Sequence, residues 1–184
     1  MDPAIIEGFT SIGINFMEGY GLSETSPVVS ANPLGKIKIG SVGIPLYGVH
    51  VKIINPDNEG IGEIAIKGDN VMQGYYKSPE QTAKVMQDGW FLTGDLGKID
   101  SDNFIFITGR AKDVIVNSGG KNIYPEVVEN ILSTSKYIAE SLVLGYKTRG
   151  EIGEEVGVLI YPDYEALITH AAKENITFQE EVKV

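Results

Sequence analysis

The spacing of apolar and polar residues predicts a β-hairpin in the first half of the chain. Apolar and polar residues alternate over residues 49–54 and again over 63–67, as in strands with one buried face. Residues 55–60, between these two runs, are of types that favour tight turns. Three further short strands joined by tight turns are predicted at 91–93, 97–99 and 104–108. The chain up to about residue 110 is therefore predicted to be rich in β-structure.

Prolines and capping residues predict three helices. Ser78 and Pro79 predict a short helix that ends near residue 86, and Pro125 begins a second helix that ends near residue 132. Asp163 is predicted to cap a third helix over residues 164–173. Further strands are predicted at 114–116, 141–144 and 156–161. This mixture of helices and strands is typical of the α/β class.

The last residues carry a signal for the start of another helix. Residues 177–180 have the spacing of a capping box, but only residues 181–184 follow it. A helix that short is marginal even inside a protein. We therefore expect this sequence to be a piece of a longer protein.

Composition excludes several classes of function. The chain has no cysteine, which excludes a disulfide framework, a cysteine nucleophile and cysteine-based zinc sites. Its net charge of −10 would repel nucleic acid, so no nucleic-acid partner is expected. No apolar run approaches the length of a membrane span, and the start of the chain does not resemble a signal peptide. These features predict a cytoplasmic protein and leave its association with membranes open.

Common enzyme motifs are also missing from the sequence. None of the three Gly-Lys pairs is followed by Ser or Thr, so the phosphate-binding P-loop motif does not occur. The dinucleotide-binding pattern G-x-G-x-x-G does not occur either. Around Ser23 the nucleophile-elbow pattern fails, because Thr25 stands where its second glycine is required. A self-contained hydrolase or dehydrogenase is therefore not supported.

The remaining candidate chemistry lies in polar turns that contain glycine. Residues 19–25 bring together an aromatic ring, two hydroxyl groups and a carboxylate, and glycine at Gly21 permits close approach of a ligand to the backbone. Asp95 offers a carboxylate that could accept from ribose hydroxyls, and Arg110 offers a guanidinium donor. From pattern alone, an ordinary polar loop is the better explanation of residues 19–25, and a turn or a surface charge is the more frequent explanation of Asp95 and Arg110.

Four segments in order resemble one enzyme superfamily: 19–25, 62–76, 90–95 and 109–126. Together they resemble the adenylate-forming superfamily of acyl-CoA synthetases, aryl-CoA ligases, luciferases and peptide-synthetase adenylation domains. The glycine-rich loop at 118–121 and the residues after it look most like the acyl-CoA ligases of this group. Residues 139–167 resemble the long-chain fatty-acid branch.

The resemblance implies a role for each matching residue in the first two-thirds of the chain. It implies that Tyr20 stacks on adenine, that Ser23 contacts the α-phosphate and that Glu24 is a catalytic ligand of Mg²⁺. It also implies that Asp95 binds the ribose hydroxyls together with Arg110. Threonine is commoner in the family at the position of Ser23, but the hydroxyl group is retained.

The resemblance further implies a division into two domains. Residues 1–111 would be the end of the AMP-binding domain with its β-rich subdomain, and residues 112–184 would be a truncated α+β lid. Lys112 matches the hinge position, and Gly119 and Gly120 match a loop that lines the coenzyme A channel. The family's phosphate loop and its C-terminal lysine would lie outside the sequence, so the chain alone is expected to be inactive.

The implied activity is that of an AMP-forming long-chain fatty-acid–CoA ligase. Its substrates would be a fatty acid, ATP and coenzyme A, with Mg²⁺ as the metal ion and AMP as a product. An aryl- or medium-chain acyl-CoA ligase, or another adenylating enzyme, is the alternative within the superfamily. A non-catalytic interaction module on the same fold is a further alternative. The presence of Glu24, Asp95 and Arg110 together argues against that alternative.

Overall fold

The computed structural model describes residues 3–14, 16–147, 154–174 and 176. The chain divides into two compact units, Met1–Lys112 and Asp113–Val184. The predicted domain boundary, between residues 111 and 112, lies one residue before this division. Helices and strands are mixed in both units, and the predicted α/β fold class is confirmed.

The first unit begins with a helix and a small antiparallel sheet. Helix α1 spans Pro3–Ser11. Strands β1 (Gly19–Gly21), β2 (Val28–Ala31) and β3 (Ile44–Pro45) pair in the order β1-β2-β3. A single 3₁₀ turn, Ser23–Thr25, connects β1 to β2. This turn contains two of the predicted site residues, Ser23 and Glu24.

A five-stranded antiparallel sheet forms the rest of the first unit. Its strands and the helix beside them are β4 (His50–Ile54), β5 (Gly62–Lys67), α2 (Pro79–Val85), β6 (Met86–Gln87), β7 (Trp90–Ile99) and β8 (Ile105–Arg110). The strand order is β4-β5-β7-β6, and β8 pairs with β7. The predicted hairpin is confirmed as β4 and β5. Its turn is held by Asp57, whose carboxylate accepts from the backbone N–H groups of Glu59 and Ile61 at 2.8 and 2.9 Å.

The prediction of separate strands at 91–93 and 97–99 is wrong, because β7 runs through both without a turn. Gly94 has a φ of 73°, which a glycine adopts without steric cost, so the strand continues past it. At Gly97 a Cβ atom would overlap the carbonyl group of Phe106 on the neighbouring strand. Gly94 therefore lets β7 continue, and Gly97 lets β8 pair closely with it.

Helix α2 lies where it was predicted, but Ser78 does not cap it with its side chain. The Ser78 hydroxyl makes no capping hydrogen bond. Its carbonyl group instead accepts from the backbone N–H and the hydroxyl of Thr82, at 3.0 and 2.9 Å. The start of the helix is therefore fixed by Pro79 and by the Thr82 side chain.

The core of the first unit joins its two sheets. Val29 of β2, Ile64 and Ile66 of β5 and Ile105 of β8 are fully buried and pack as one cluster. At another place on the large sheet, the ammonium group of Lys52 lies 4.1 Å from the centre of the Trp90 ring. The large sheet, with β7 and β8, is therefore packed on a fully buried core.

The second unit consists of short strands, a long hairpin and two helices. They are β9 (Ile115–Val116), β10 (Asn122–Ile123), α3 (Pro125–Leu132), β11 (Ile138–Tyr146), β12 (Glu155–Pro162) and α4 (Tyr164–Lys173). The Glu129 carboxylate accepts from the backbone N–H of Val143 at 2.8 Å, which ties α3 to β11. The predicted cap of α4 is confirmed, because the Asp163 carboxylate accepts from the N–H of Ala166 at 2.9 Å. The capping box at 177–180 lies outside the described residues.

Among the helices that the structure describes, none has both the length and the apolar character needed to cross a membrane.

Candidate active site

The turn between β1 and β2 is held by a buried hydroxyl group. Thr25 is fully buried, and its hydroxyl oxygen accepts from the N–H of Leu22 at 3.0 Å. The same oxygen lies 3.0 Å from the Pro27 carbonyl, to which it can donate. A Cβ atom at Gly21 would overlap that carbonyl, so this position requires glycine. The turn is therefore tightly built, while Ser23 is exposed and Glu24 half-buried.

Tyr20, Asp95 and Arg110 form one hydrogen-bonded cluster. The Tyr20 hydroxyl donates to one carboxylate oxygen of Asp95 at 2.5 Å, and Arg110 Nε lies 2.9 Å from the other. Asp95 and Arg110 are opposite each other on β7 and β8, and Tyr20 reaches them from β1. Asp95 is 6% exposed, whereas the Arg110 side chain is half exposed. The structure thus brings together three predicted site residues that are far apart in the sequence.

The electrostatics of this cluster fix which group donates. Burial, and then the hydrogen bond to Asp95, raise the pKa of the Tyr20 hydroxyl well above its usual range. Tyr20 therefore keeps its proton and is the donor in its hydrogen bond to Asp95. Each carboxylate oxygen has a second lone pair, so Asp95 can still accept from two hydroxyl groups of a ligand.

Two residues with no predicted role, Thr93 and Glu63, accept hydrogen bonds from the backbone at Asp95 and Gly94. The Thr93 hydroxyl accepts from the backbone N–H of Asp95 at 3.0 Å and donates to the carbonyl of Ile64 at 2.8 Å. The Glu63 carboxylate accepts from the N–H of Gly94 at 3.1 Å. Thr93 and Glu63 fall within the recognised motifs, but contacts across strands are not visible in a sequence pattern.

Glu24 is contacted by the segment 68–75, which follows β5. The Tyr75 hydroxyl donates to Glu24 Oε1 at 2.9 Å, and the N–H of Met72 donates to the Glu24 carbonyl at 2.7 Å. Burial and the bond to Glu24 raise the pKa of Tyr75, so this hydroxyl also remains a donor. The Glu24 side chain is therefore held at one of its two carboxylate oxygens.

Glu24 fits a magnesium ion that is bound together with a nucleotide. No group of three or more carboxylate or imidazole side chains able to hold a metal occurs among the described residues. Mg²⁺ commonly takes one or two protein carboxylates and completes its shell with substrate phosphates and water. One half-buried carboxylate next to a turn with an exposed hydroxyl matches that pattern.

Lys112 and the glycine loop lie at and beyond the division between the units. Lys112 is exposed, belongs to a short 3₁₀ helix over Ala111–Asp113, and is the last residue of the first unit. In the second unit, the Asn117 carboxamide accepts from the N–H groups of Gly119 and Lys121 at 3.0 and 2.9 Å. Gly120 has a φ of 74°. The predicted hinge and channel roles of these residues stay predictions.

Part of the first unit is similar in sequence to one family of enzymes. Residues 1–76 match the family model described as AMP-binding enzyme. Over most of its length the chain is similar to adenylate-forming enzymes, and the resemblance predicted from its four motifs is confirmed.

The similar proteins include several acyl-CoA ligases. A long-chain-fatty-acid–CoA ligase of Mycobacterium bovis is 39% identical over 158 residues, which are 86% of this chain and 25% of the ligase. A long-chain-fatty-acid–CoA ligase of Bacillus subtilis is 44% identical over 140 residues, 72% of this chain and 25% of that enzyme. A feruloyl-CoA synthase of an Amycolatopsis species is 39% identical over 155 residues, 79% of this chain and 31% of the synthase. The chain thus spans about a quarter to a third of the length of these relatives.

The solved structures give the same result. The o-succinylbenzoate CoA synthetase of Bacillus subtilis, in complex with its acyl-adenylate intermediate, matches with a TM-score of 0.78 and 30% identity. That match covers 95% of this chain and 38% of the synthetase. ATP-bound MatB from Rhodopseudomonas palustris matches with a TM-score of 0.74 and 33% identity, over 90% of this chain and 35% of MatB.

Proposed function

We propose that this chain supplies the adenine, ribose and metal contacts of an AMP-forming acyl-CoA ligase that acts on long-chain fatty acids. The observation that carries the proposal is the cluster of Tyr20, Asp95 and Arg110, in which a buried carboxylate is held between a phenol and a guanidinium. The similarity to fatty-acid–CoA ligases over most of the chain supports it.

The reaction proceeds in two steps. The fatty-acid carboxylate attacks the α-phosphorus of ATP, which gives the acyl-adenylate and releases pyrophosphate. The thiol of coenzyme A then attacks the acyl carbon, and AMP leaves. None of the residues placed at the site forms a covalent bond to the substrate, so the chain contributes by positioning and electrostatics.

Each residue of the site has a task in this scheme. The Tyr20 ring stacks on adenine, and the hydrogen bond of its hydroxyl to Asp95 holds the outer end of the ring in place. Asp95 accepts from the ribose hydroxyls, and the contact with Arg110 Nε orients its carboxylate. Ser23 donates to an oxygen of the α-phosphate, and Glu24 holds Mg²⁺. When bound, Mg²⁺ neutralises charge that develops on the phosphates.

The test is thioester formation by the full-length protein that carries these residues. With ATP and coenzyme A, we expect palmitate to be converted faster than a medium-chain acid or ferulate. The similarity to a feruloyl-CoA synthase makes an aryl acid the second candidate substrate. A protein that forms no thioester with any of these acids would contradict the proposal. The same assay on the 184 residues alone is expected to show no product.

A further inference from the structure

The loop that contains Glu24 is fastened along its backbone by the segment 68–75. The N–H of Met72 donates to the Glu24 carbonyl at 2.7 Å. The Asn70 carboxamide donates to the carbonyls of Thr25 and Val28, at 3.0 and 3.2 Å. These contacts fix the backbone of the loop but leave the torsions of the Glu24 side chain free.

Tyr75 is the side chain of this segment that reaches the Glu24 carboxylate. Its hydroxyl lies 2.9 Å from Glu24 Oε1, and both side chains are half-buried. A phenol donates one proton and carries no charge, so it can orient a carboxylate without neutralising it. With Oε1 engaged by Tyr75, Oε2 accepts no hydrogen bond within the described part of the chain.

Tyr75 is itself held in place from α2. Its backbone N–H donates to the Thr82 hydroxyl at 2.9 Å, and that hydroxyl donates to the carbonyl of Ser78 at 2.9 Å. The preceding residue, Gly74, has a φ of 149° and lies against the Thr82 side chain. The helix therefore determines the direction from which the phenol approaches Glu24.

We propose that Tyr75 is a positioning residue, which holds Glu24 with one carboxylate oxygen free for the Mg²⁺ ion that accompanies the nucleotide. This inference rests on the proposed function and assigns to α2 and the segment 68–75 a part in metal binding. A glutamate that is already oriented loses less conformational freedom when it binds the ion. Loss of the phenol hydroxyl should thus weaken binding of the nucleotide only when Mg²⁺ is present.

The chain offers a matched control in the next residue. Tyr76 is 87% exposed, and its ring lies 5.3 Å from the ammonium group of Lys77. Tyr75→Phe and Tyr76→Phe remove the same hydroxyl group from adjacent positions and keep both rings. Differences between the two variants therefore report the bond to Glu24.

The experiment measures ATP binding to the full-length protein by calorimetry, with Mg²⁺ and with EDTA. For Tyr75→Phe we expect the affinity with Mg²⁺ to fall by roughly tenfold, in line with the loss of a hydrogen bond to a charged group. Its affinity in EDTA and its melting temperature should match those of the wild type. Tyr76→Phe should match the wild type in all three measurements. In a Glu24→Ala background, Tyr75→Phe should have no further effect.

The possible failures are distinct. An unchanged response to Mg²⁺ in Tyr75→Phe would overturn this inference and leave the proposed function intact. An equal loss of affinity with Mg²⁺ and with EDTA, together with a lower melting temperature, would also overturn it, because Tyr75 would then be purely structural. A wild-type protein that binds no ATP in either buffer would overturn the proposed function itself.

Discussion

The two units differ most in the number of polar side chains that they bury. In the described part of the first unit, six polar or charged residues are buried: Thr25, Ser30, Asn32, Ser41, Thr93 and Asp95. Each makes hydrogen bonds inside its own unit. In the described part of the second unit, no polar residue is buried to this degree. Satisfied polar networks fix one arrangement of side chains, so the first unit can hold a ready-made site.

The second unit instead exposes apolar side chains along its hairpin. Leu142 on β11 and Leu159 on β12 are 54% and 62% exposed, and the next two residues of β12, Ile160 and Tyr161, are 51% and 60% exposed. Its described core is small, and its buried apolar residues are Ile115, Pro125, Val143 and Ala171. The hydrogen-bonded site and the larger buried core therefore occur together in the first unit, whereas the second unit has a small core and an exposed apolar hairpin.

The largest effect is expected at the residue where the two units divide. Lys112→Pro fixes φ near −65° and also restricts Ala111, so it should prevent a rotation of one unit against the other. In the full-length protein, thioester formation should slow by roughly 100-fold or more, while ATP–pyrophosphate exchange is retained. Lys112→Ala keeps the backbone free and should affect both half-reactions far less. Equal loss of both half-reactions in the proline variant, or of neither, would mean that Lys112 is not the pivot.

The difference between the two cores predicts that replacing an apolar side chain by alanine lowers the free energy of unfolding more at a buried position of the first unit than on the hairpin of the second. Ile64→Ala leaves a cavity in the fully buried cluster and should lower the free energy of unfolding by about 2–5 kcal/mol. Leu159→Ala removes an exposed side chain and should change it by within about 0.5 kcal/mol. Urea unfolding followed by circular dichroism measures both. A cost at Leu159 as large as that at Ile64 would show that the hairpin surface is covered in the intact protein.

The buried carboxylate of the first unit is expected to matter for binding. Asp95→Asn replaces one of the two carboxylate oxygens proposed to accept from the ribose hydroxyls by an amide NH₂ donor, and should weaken binding of ATP and AMP by about 10- to 100-fold. The matched control is Asp88→Asn, in an exposed turn where φ is 51° and asparagine is well tolerated. Calorimetry with each nucleotide decides the question. Unchanged affinity in Asp95→Asn at unchanged stability would show that Asp95 does not bind the ribose.

The smallest effect is expected at a surface ion pair in the first unit. Lys38 donates to Asp100, and this contact lowers the pKa of Asp100 and raises that of Lys38. A lowered carboxyl pKa stabilises the fold above the ordinary value of 3.8, and that contribution is lost as the pH falls through the folded-state value. The raised pKa of Lys38 contributes below 10.5 and is lost as the pH rises through its folded-state value.

Lys38→Met should therefore lower the melting temperature slightly at neutral pH and low salt. The difference from the wild type should shrink at high salt and as the pH falls below 3.8. Lys98→Met, at an exposed position on β7, is the control and should have no such dependence. A difference that persists in acid and in salt would assign the effect to the contact of the Lys38 ammonium group with the Phe104 ring, whose centre lies 4.7 Å away.

Elements with strong local signals were predictable from the sequence. The β4–β5 hairpin follows from the turn residues at 55–60, and α4 follows from Asp163, whose carboxylate does cap the helix. The β1–β2 pair was not predicted, because Gly19 and Gly21 have low β-propensity and are selected by close approach to β2. β7 was divided in two for a related reason, since glycine within a strand resembles a turn in a one-dimensional pattern.

The candidate site was reached through resemblance and not through local pattern. Tyr20 and Asp95 are 75 residues apart and lie on different sheets, and the packing of these two sheets on a shared core brings them together. The proposed role of Tyr75 could not be predicted from the sequence, because its hydrogen bond to Glu24 depends on how the segment 68–75 packs against the turn after β1. Contacts of this kind follow from tertiary structure.

Trp90 gives the first unit an optical label of its own. It is the single tryptophan of the sequence, it lies on β7, and the Lys52 ammonium group stands over its ring. A positive charge near an indole shifts the energy of its excited state, so the emission spectrum of Trp90 depends on the distance to Lys52. Fluorescence excited at the red edge of the indole band therefore originates from the large sheet alone. Emission of Trp90 then follows the unfolding of the first unit, and backbone dichroism follows the two units together. A difference between the two unfolding curves reports the second unit.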